Sequence, residues 1–379
     1  MVNKTIGEIC DILSGYAFDS KLFTENSQDT PLIRIRDVMR GNTNTYTKES
    51  YGDKYIVKNG DLLIGMDGEF NIAPWKSNNA LLNQRVCKIW CSSNDVKEKY
   101  LIYFLPKALK DIERETSFVT VKHLSVKTIN KIKIPLPPLE TQTQIAKTLD
   151  TTSELLTMRK QQLAELDALI KSTFYDMFGD PVTNEKGWPV KKMAEVCSKI
   201  TDGKHGDCND EAASGYYFLS AKDIQNGMIH YGKARQITLV DFEDTNKRTK
   251  LSTGDLVVVN TGATIGKTAI VTNDERTYRT TFQKSVGIIQ VRSSELSNLF
   301  LKYYIIIDRD NIYKFASGSA QKNWLLSQMR NYKIPLPPIK LQTQFAEIVT
   351  KIEEQKALVK KAIDETQYLF DGLMSEYFE

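Results

Sequence analysis

Lys133-Ile134-Pro135-Leu136-Pro137-Pro138 recurs 200 residues later as Lys333-Ile334-Pro335-Leu336-Pro337-Pro338. Gln142-Thr143-Gln144 returns at the same offset as Gln342-Thr343-Gln344. Upstream, Asn59-Gly60-Asp61-Leu62-Leu63-Ile64 is echoed by Thr253-Gly254-Asp255-Leu256-Val257-Val258 at an offset of 194. A six-residue string repeated with further matches in register is not a chance event, so the chain is one unit written twice. Each copy is a variable block, a proline string and a helix. The prolines cannot enter a helix and push their predecessors into extended geometry, so the strings read as short stiff spacers that set the direction of the helix behind them.

Residues 140–178 and 340–378 contain no proline, and glycine only at Gly372. Leu149, Leu156, Leu163, Ile170 and Met177 are spaced by sevens. In the second copy Phe345, Ile352, Val359 and Leu373 share one such stripe, with Thr366 its polar exception. Val349, Ile363, Phe370 and Tyr377 form the neighbouring stripe, interrupted by Lys356. These are coiled-coil seams. Helices of about 39 residues, roughly 58 Å long, need a partner for such seams. The simplest partner is the other copy, packed antiparallel.

The two blocks read differently. Short β-rich runs at 32–35, 61–64, 86–90, 255–259, 267–271 and 285–289 are separated by turns rich in Gly, Asn and Asp. A helix is predicted to close each block, near 97–110 and 294–307. The fold class is therefore α+β: two small β-rich globular domains separated by a pair of long antiparallel, coiled-coil-like helices, with an internal pseudo-two-fold repeat. The expected division is 1–135, first domain; 136–178, first proline hinge and spacer helix; 179–335, second domain; 336–379, second hinge and helix.

Composition agrees. Of 379 residues, 41% are apolar and 26% charged, enough to bury real cores and far from disordered, collagen-like or disulfide-scaffold chains. No run of 18 uncharged apolar residues exists, which argues against a membrane-spanning helix, and the N-terminus has no apolar signal region. Five cysteines without a CxxC pair suggest reduced thiols in a cytoplasm. The formal net charge of +4 is unevenly spread: the two blocks carry +4 and +5, the helical segments −2 and −3. That suits two modules facing a polyanion, joined by helices with another task.

The chain lacks the GxGxxG and HExxH motifs and the Pro-Pro-aromatic tetrapeptide of amino-methyltransferases, so no catalytic residue is assigned. Gly262-Ala263-Thr264-Ile265-Gly266-Lys267-Thr268 resembles a phosphate-binding loop. It has three residues between its glycines where that loop needs four, and a strand comes next. Cys87 and Cys91 lack further ligands nearby, so no metal is expected. The candidates for contact with DNA are basic or amide side chains in loops, which offer bidentate or charge-assisted bonds to bases and phosphates. In the first block these are Arg34, Arg36, Arg40, Lys76, Asn83, Gln84, Arg85, Lys122 and His123. In the second they are Lys204, His205, Lys222, Arg235, Lys247, Arg248, Lys250, Arg276, Arg279, Lys284, Gln321, Lys322 and Asn323.

Two variable blocks, each closed by IPLPP, a glutamine and a long helix, resemble the specificity subunit of type I restriction–modification systems over essentially the whole chain. Ser14-Gly15-Tyr16-Ala17-Phe18 and Asp202-Gly203-Lys204-His205-Gly206 are similar to common openings of its target-recognition domains. Thr261-Gly262-Ala263-Thr264-Ile265-Gly266-Lys267 and Ser317-Gly318-Ser319-Ala320-Gln321-Lys322-Asn323 fit as well. After Gly206 the family often has threonine and proline, where this chain has Asp207-Cys208. The resemblance implies a sequence-specific DNA-binding subunit without catalysis, reading a bipartite, asymmetric site in double-stranded DNA. It implies two methyltransferase subunits and restriction/translocase subunits as partners. S-adenosylmethionine, ATP and Mg would sit on those partners, with no cofactor on this chain. The long helices, through Leu149, Leu156, Leu163, Ile170, Ile352, Val359, Ile363 and Phe370, would form the spacer and the partner-docking element. A protein- or glycan-binding coiled-coil adaptor, and a nucleotide hydrolase using Gly262–Thr268, are the alternative readings.

Overall fold

The structure, a computed structural model, describes residues 2–115, 122–318 and 321–378. Two units emerge: Met1–Lys160 with Lys361–Glu379, and Gln161–Lys360. The chain segments 136–178 and 336–379 each contribute to both units.

In the first unit the strands Cys10–Ser14, Val86–Cys91, Leu62–Gly65 and Ile72–Pro74 lie side by side in that order, all antiparallel. Alternate side chains serve different layers, as the two-residue period of a strand requires. Leu62, Ile64, Cys87 and Ile89 face a core shared with the helix Glu98–Glu115, while Leu63 and Val86 face a second layer. That layer is a sheet of short strands in which Thr30–Ile33 runs parallel to Ala80–Leu82.

The second unit repeats the plan. Cys197–Asp202, Val286–Val291, Leu256–Val259 and Thr268–Ile270 form the antiparallel sheet. Tyr217–Leu219 and Thr280–Phe282 supply the parallel pair. The closing helix Asn298–Ile307 is followed by a second, Arg309–Phe315.

The proline strings are not free spacers. Lys133–Leu136 is a strand paired antiparallel with Val2–Thr5, and Lys333–Pro335 pairs with Val190–Lys192. Each string thus ties the end of its domain to the beginning. Proline is tolerated because Pro135 and Pro335 each stand three steps from a hydrogen-bonded pair, Ile6 with Ile132 and Met193 with Tyr332, so by alternation they hold non-hydrogen-bonded positions where a missing N–H costs no ladder bond. Beyond each string the chain turns into a 40-residue helix, Leu139–Phe178 or Ile339–Phe378.

The helices are antiparallel within each unit. In the first, Ile145 and Leu149 of the first helix share a core with Phe370, Leu373 and Tyr377 of the second. In the second, Ile170, Phe174 and Phe178 meet Phe345, Val349 and Ile352. Leu156 and Val359 are buried, and Leu163 and Ile363 half-buried. Both polar exceptions of the second helix are buried too. Thr366 and the carbonyl of Ala362 accept hydrogen bonds from the Arg159 guanidinium. Burial works against the charge on Lys356, but Asp167 (2.6 Å) and Glu353 (2.8 Å) lift its pKa above the ordinary value. One buried polar residue in an apolar seam is a register-setting device, bought at some expense in stability. Lys356→Met is therefore expected to leave the melting temperature unchanged or raise it. Asp167→Asn with Glu353→Gln, which strands the buried ammonium, is expected to lower it by several degrees. Thermal melts of the three chains check this.

Candidate nucleic-acid interface

Strand polarity places the functional side chains. In the first unit Cys10–Ser14 and Leu62–Gly65 end, and Val86–Cys91 begins, at the same edge of the sheet. Thr30–Ile33 and Ala80–Leu82 end beside one another. Four loops consequently gather into one rim. Their backbones are laced together: Gly15 N–H donates to Val86 O (3.0 Å), Tyr16 to Leu82 O (2.9 Å), Met66 to Arg85 O (3.0 Å), Gly68 to Lys122 O (3.0 Å) and Leu124 to Met66 O (2.7 Å). Gly15 is required by the close approach, since a Cβ there would lie 2.1 Å from Asn83 O.

The second unit laces its rim the same way. Gly203 N–H donates to Val286 O (3.2 Å), Lys204 to Phe282 O (2.8 Å), Asn260 to Ser285 O (3.0 Å), Gly262 to Lys322 O (2.8 Å) and Trp324 to Asn260 O (2.7 Å). A Cβ on Gly203 would lie 1.8 Å from Phe282 O. Matching these bonds pairs the rims residue by residue: Gln84 with Lys284, Arg85 with Ser285, Lys122 with Lys322 and His123 with Asn323. Asp37, accepting from Arg34 N–H (2.9 Å), matches Asp223, accepting from Ser220 N–H (2.8 Å). That equates Arg34 with Ser220 and Arg36 with Lys222. One scaffold therefore carries two different sets of side chains.

Most of the sequence candidates converge here. Arg34, Arg36, Gln84, Arg85 and His123 are exposed on the first rim, and His205, Lys222, Lys284 and Gln321 on or beside the second. Asn83 is buried, and its side chain accepts from Gln84 N–H (2.8 Å). Three lysines are committed to the scaffold: Lys122 to the carbonyl of Glu113, Lys322 to that of Ala316 and Lys204 to Asp241 (2.9 Å). Asn323 shapes the rim through its backbone, bonded both ways to Ser317. Ser319 and Ala320 of that string lie outside the described residues.

Other candidates lie elsewhere. Arg40 and Lys76 sit together, joined through Gly41, at the opposite end of the strand Leu62–Gly65. Arg279 precedes the strand Thr280–Phe282 and so lies at its far end from Lys284. Arg235 is engaged by Asp207, Asp210 and the carbonyl of Cys208, and pins the loop where the sequence departs from the family pattern.

Sequence reasoning missed the carboxylates that hold the cations. Asp67 bridges Arg85 (3.0 Å) and His123 (2.6 Å). Its side chain is 19% exposed, theirs 54% and 53%, so the carboxylate is sunk beneath the presented Arg85 guanidinium and His123 ring. In the second unit buried Asp202 receives Arg248 and, at 3.0 Å, His205. Tyr16 was missed as well: it is half-exposed on the first rim, edge-on to Phe18 at 4.9 Å. An acid beside an anionic partner gives no signal in a search for basic residues. Its position one residue before the turn glycine, Asp67-Gly68 and Asp202-Gly203, was the available clue.

Asp241 anchors the second rim. Asn209 N–H (2.8 Å), Lys204 and the Thr238 hydroxyl (3.1 Å) hold its carboxyl well below the usual carboxylate range. A lowered folded-state pKa stabilises above the unfolded value of about 4, and that contribution fades as pH falls toward the folded value. Asp241→Asn is expected to flatten the acid side of the melting-temperature profile below about pH 4, measured as Tm against pH.

The phosphate-loop resemblance of Gly262–Thr268 has a structural answer. The amides of Gly262, Ile265, Gly266 and Lys267 donate to Lys322, Gly262, Val259 and Thr264 carbonyls. Arg309 occupies the carbonyls of Ala263 (3.0 Å) and Ile265 (2.8 Å). A phosphate cradle needs those amides free, so this segment is a rim loop. Among the described residues no group of three or more His, Cys, Asp or Glu could hold a metal, and no helix is long and apolar enough to cross a membrane.

Comparison with known proteins places this geometry. A family model described as "Type I restriction modification DNA specificity domain" matches the chain twice, over residues 1–168 and 185–367. The EcoBI type I restriction enzyme specificity subunit of Escherichia coli is 30% identical over 377 aligned residues, covering 92% of this chain and 78% of its own. The MjaVIII specificity subunit of Methanocaldococcus jannaschii is 24% identical, covering 81% and 75%. The crystal structure of a type I S subunit from M. genitalium aligns over 100% of this chain and 96% of its own, with a TM-score of 0.59 at 13% identity. A chain from a structure of type I R-M complex assembly and conformational transition gives the same score, 0.59, at 15% identity.

Proposed function

Because this chain belongs to the type I restriction–modification DNA specificity family, we propose that it reads a split, asymmetric DNA sequence, one half with each rim. The observation that carries the reading is the twofold use of one hydrogen-bonded scaffold with different side chains: exposed Arg34, Gln84, Arg85 and His123 in one copy, exposed Lys284 with half-buried Ser220, Ser285 and Asn323 in the other. Identical rims would read identical halves. Arg85 suits guanine in the major groove, and Gln84 suits adenine.

The two long helices serve as the spacer that sets the gap between the halves, and they also dock the partner subunits. Exposed apolar residues on both support docking: Met158 and Leu169 on the first, Leu358 and Leu369 on the second. The chain is non-catalytic in this reading and works in the cytoplasm. Two methyltransferase subunits bind S-adenosylmethionine and methylate adenine, which must be flipped from a duplex gripped on both sides. Restriction/translocase subunits bring ATP and Mg.

Co-expression with a type I methyltransferase subunit, followed by genome-wide mapping of methylated adenine, tests the proposal. A single two-part motif with a fixed gap is expected. A continuous or palindromic motif contradicts it.

A further inference from the structure

The first unit contains a pair of thiols that the DNA-reading role does not use. Cys10 and Cys91 are directly opposed across the antiparallel strands Cys10–Ser14 and Val86–Cys91. Hydrogen bonds join Gly15 to Val86 at one end of this ladder and Ser92 to Ile9 at the other. Antiparallel ladders alternate, so Cys10 and Cys91, one step in from Ile9 and Ser92, form a non-hydrogen-bonded pair. In such pairs the Cα atoms are about 4.5 Å apart and the side chains are at their closest. That separation lies within the range a disulfide spans, about 4.4–6.8 Å. Both thiols are free; Cys10 is buried and Cys91 half-exposed.

We propose that Cys10 and Cys91 form a reversible modification site, closed to an intramolecular disulfide by low-molecular-weight disulfides. The Cys91 thiolate attacks one sulfur of the oxidant, forming a mixed disulfide and releasing one thiolate. Cys10 then loses its proton to solvent and attacks the Cys91 sulfur. The mixed S–S bond breaks, and the second small thiol leaves. Two protein thiols are oxidised and one small disulfide is reduced to two thiols.

The division of labour comes from the surroundings. The hydrogen bond from Cys10 draws the Cys91 thiol below its ordinary value and pushes Cys10 above its own, and burial adds to the latter. Burial pushes Cys87 and Cys197 up to about 12, so neither competes as a nucleophile. The second unit has no such site, because Cys197 faces Val291 there.

The test is incubation of the intact, folded chain with oxidised glutathione, followed by alkylation and peptide mapping. The expected product is a Cys10–Cys91 cross-linked peptide pair, with Cys87, Cys197 and Cys208 alkylated and full reversal by dithiothreitol. Cys10→Ser is expected to halt at a stable glutathione adduct on Cys91. A wild-type chain that stops at that adduct, links other cysteines or does not react would overturn the proposal.

Discussion

A chain shortened by one heptad in each long helix, residues 157–163 together with 360–366, is expected to lose methylation at its original motif. It is expected to gain a motif with the same two halves and a gap about three base pairs shorter. Seven residues shorten a helix by about 10 Å, and base pairs rise about 3.4 Å each. Seven residues also return a helix to nearly the same face, within about 20°, so the seams still meet on both sides of the cut. Three base pairs, however, turn the duplex by about a third of a revolution. Part of that mismatch falls on the DNA, and methylation of the new motif is expected to be slower than the wild-type rate. Methylome maps of cells expressing the two complexes measure both effects. A changed half-site, or an unchanged gap, would remove the helices from the role of ruler.

The second large effect is expected at the paired glutamines. Gln142 is fully buried: its carbonyl accepts Lys97 N–H (2.9 Å), and its amide donates to Asp95 O (2.8 Å) and Pro137 O (2.9 Å). Gln342 does the same with Ser297 N–H (2.9 Å), Glu295 O (3.0 Å) and Pro337 O (2.8 Å). Each pins the start of a long helix to the loop before its domain's closing helix. Leucine in either place fills the volume but strands one donor and two acceptors, at roughly 1–3 kcal/mol per buried group. Gln142→Leu is expected to lower the melting transition of the first unit by about 10 °C and Gln342→Leu that of the second. Calorimetry resolves which transition moves. Equal shifts of both transitions in either variant would contradict the account.

These glutamines show what sequence could and could not reveal. Their repetition was visible in Gln142-Thr143-Gln144 and Gln342-Thr343-Gln344. Their burial was not, because a polar residue next to a proline string reads as surface. The seams were legible since a seven-residue period persists over five turns or more, and Leu149, Leu156 and Ile170 are indeed buried. The sheets were legible only as short runs. Pairing Thr30–Ile33 in parallel with Ala80–Leu82 depends on contacts far apart in the chain, which local alternation does not encode. For the same reason Arg40, Lys76 and Arg279 could not be told from Arg85 and Lys284: all are basic residues near turns, and only strand direction decides which end of a sheet a turn occupies.

The most direct measurement of the central idea is a pair of methylomes, from complexes carrying Arg85→Ala or Lys284→Ala. A base-reading contact contributes roughly 1–3 kcal/mol of discrimination, so about 10- to 100-fold relaxation is expected at the base pair concerned. Arg85→Ala is predicted to relax positions in one half of the split motif only, and Lys284→Ala positions in the other half only. Relaxation of both halves by either substitution, or of the same half by both, would contradict the account.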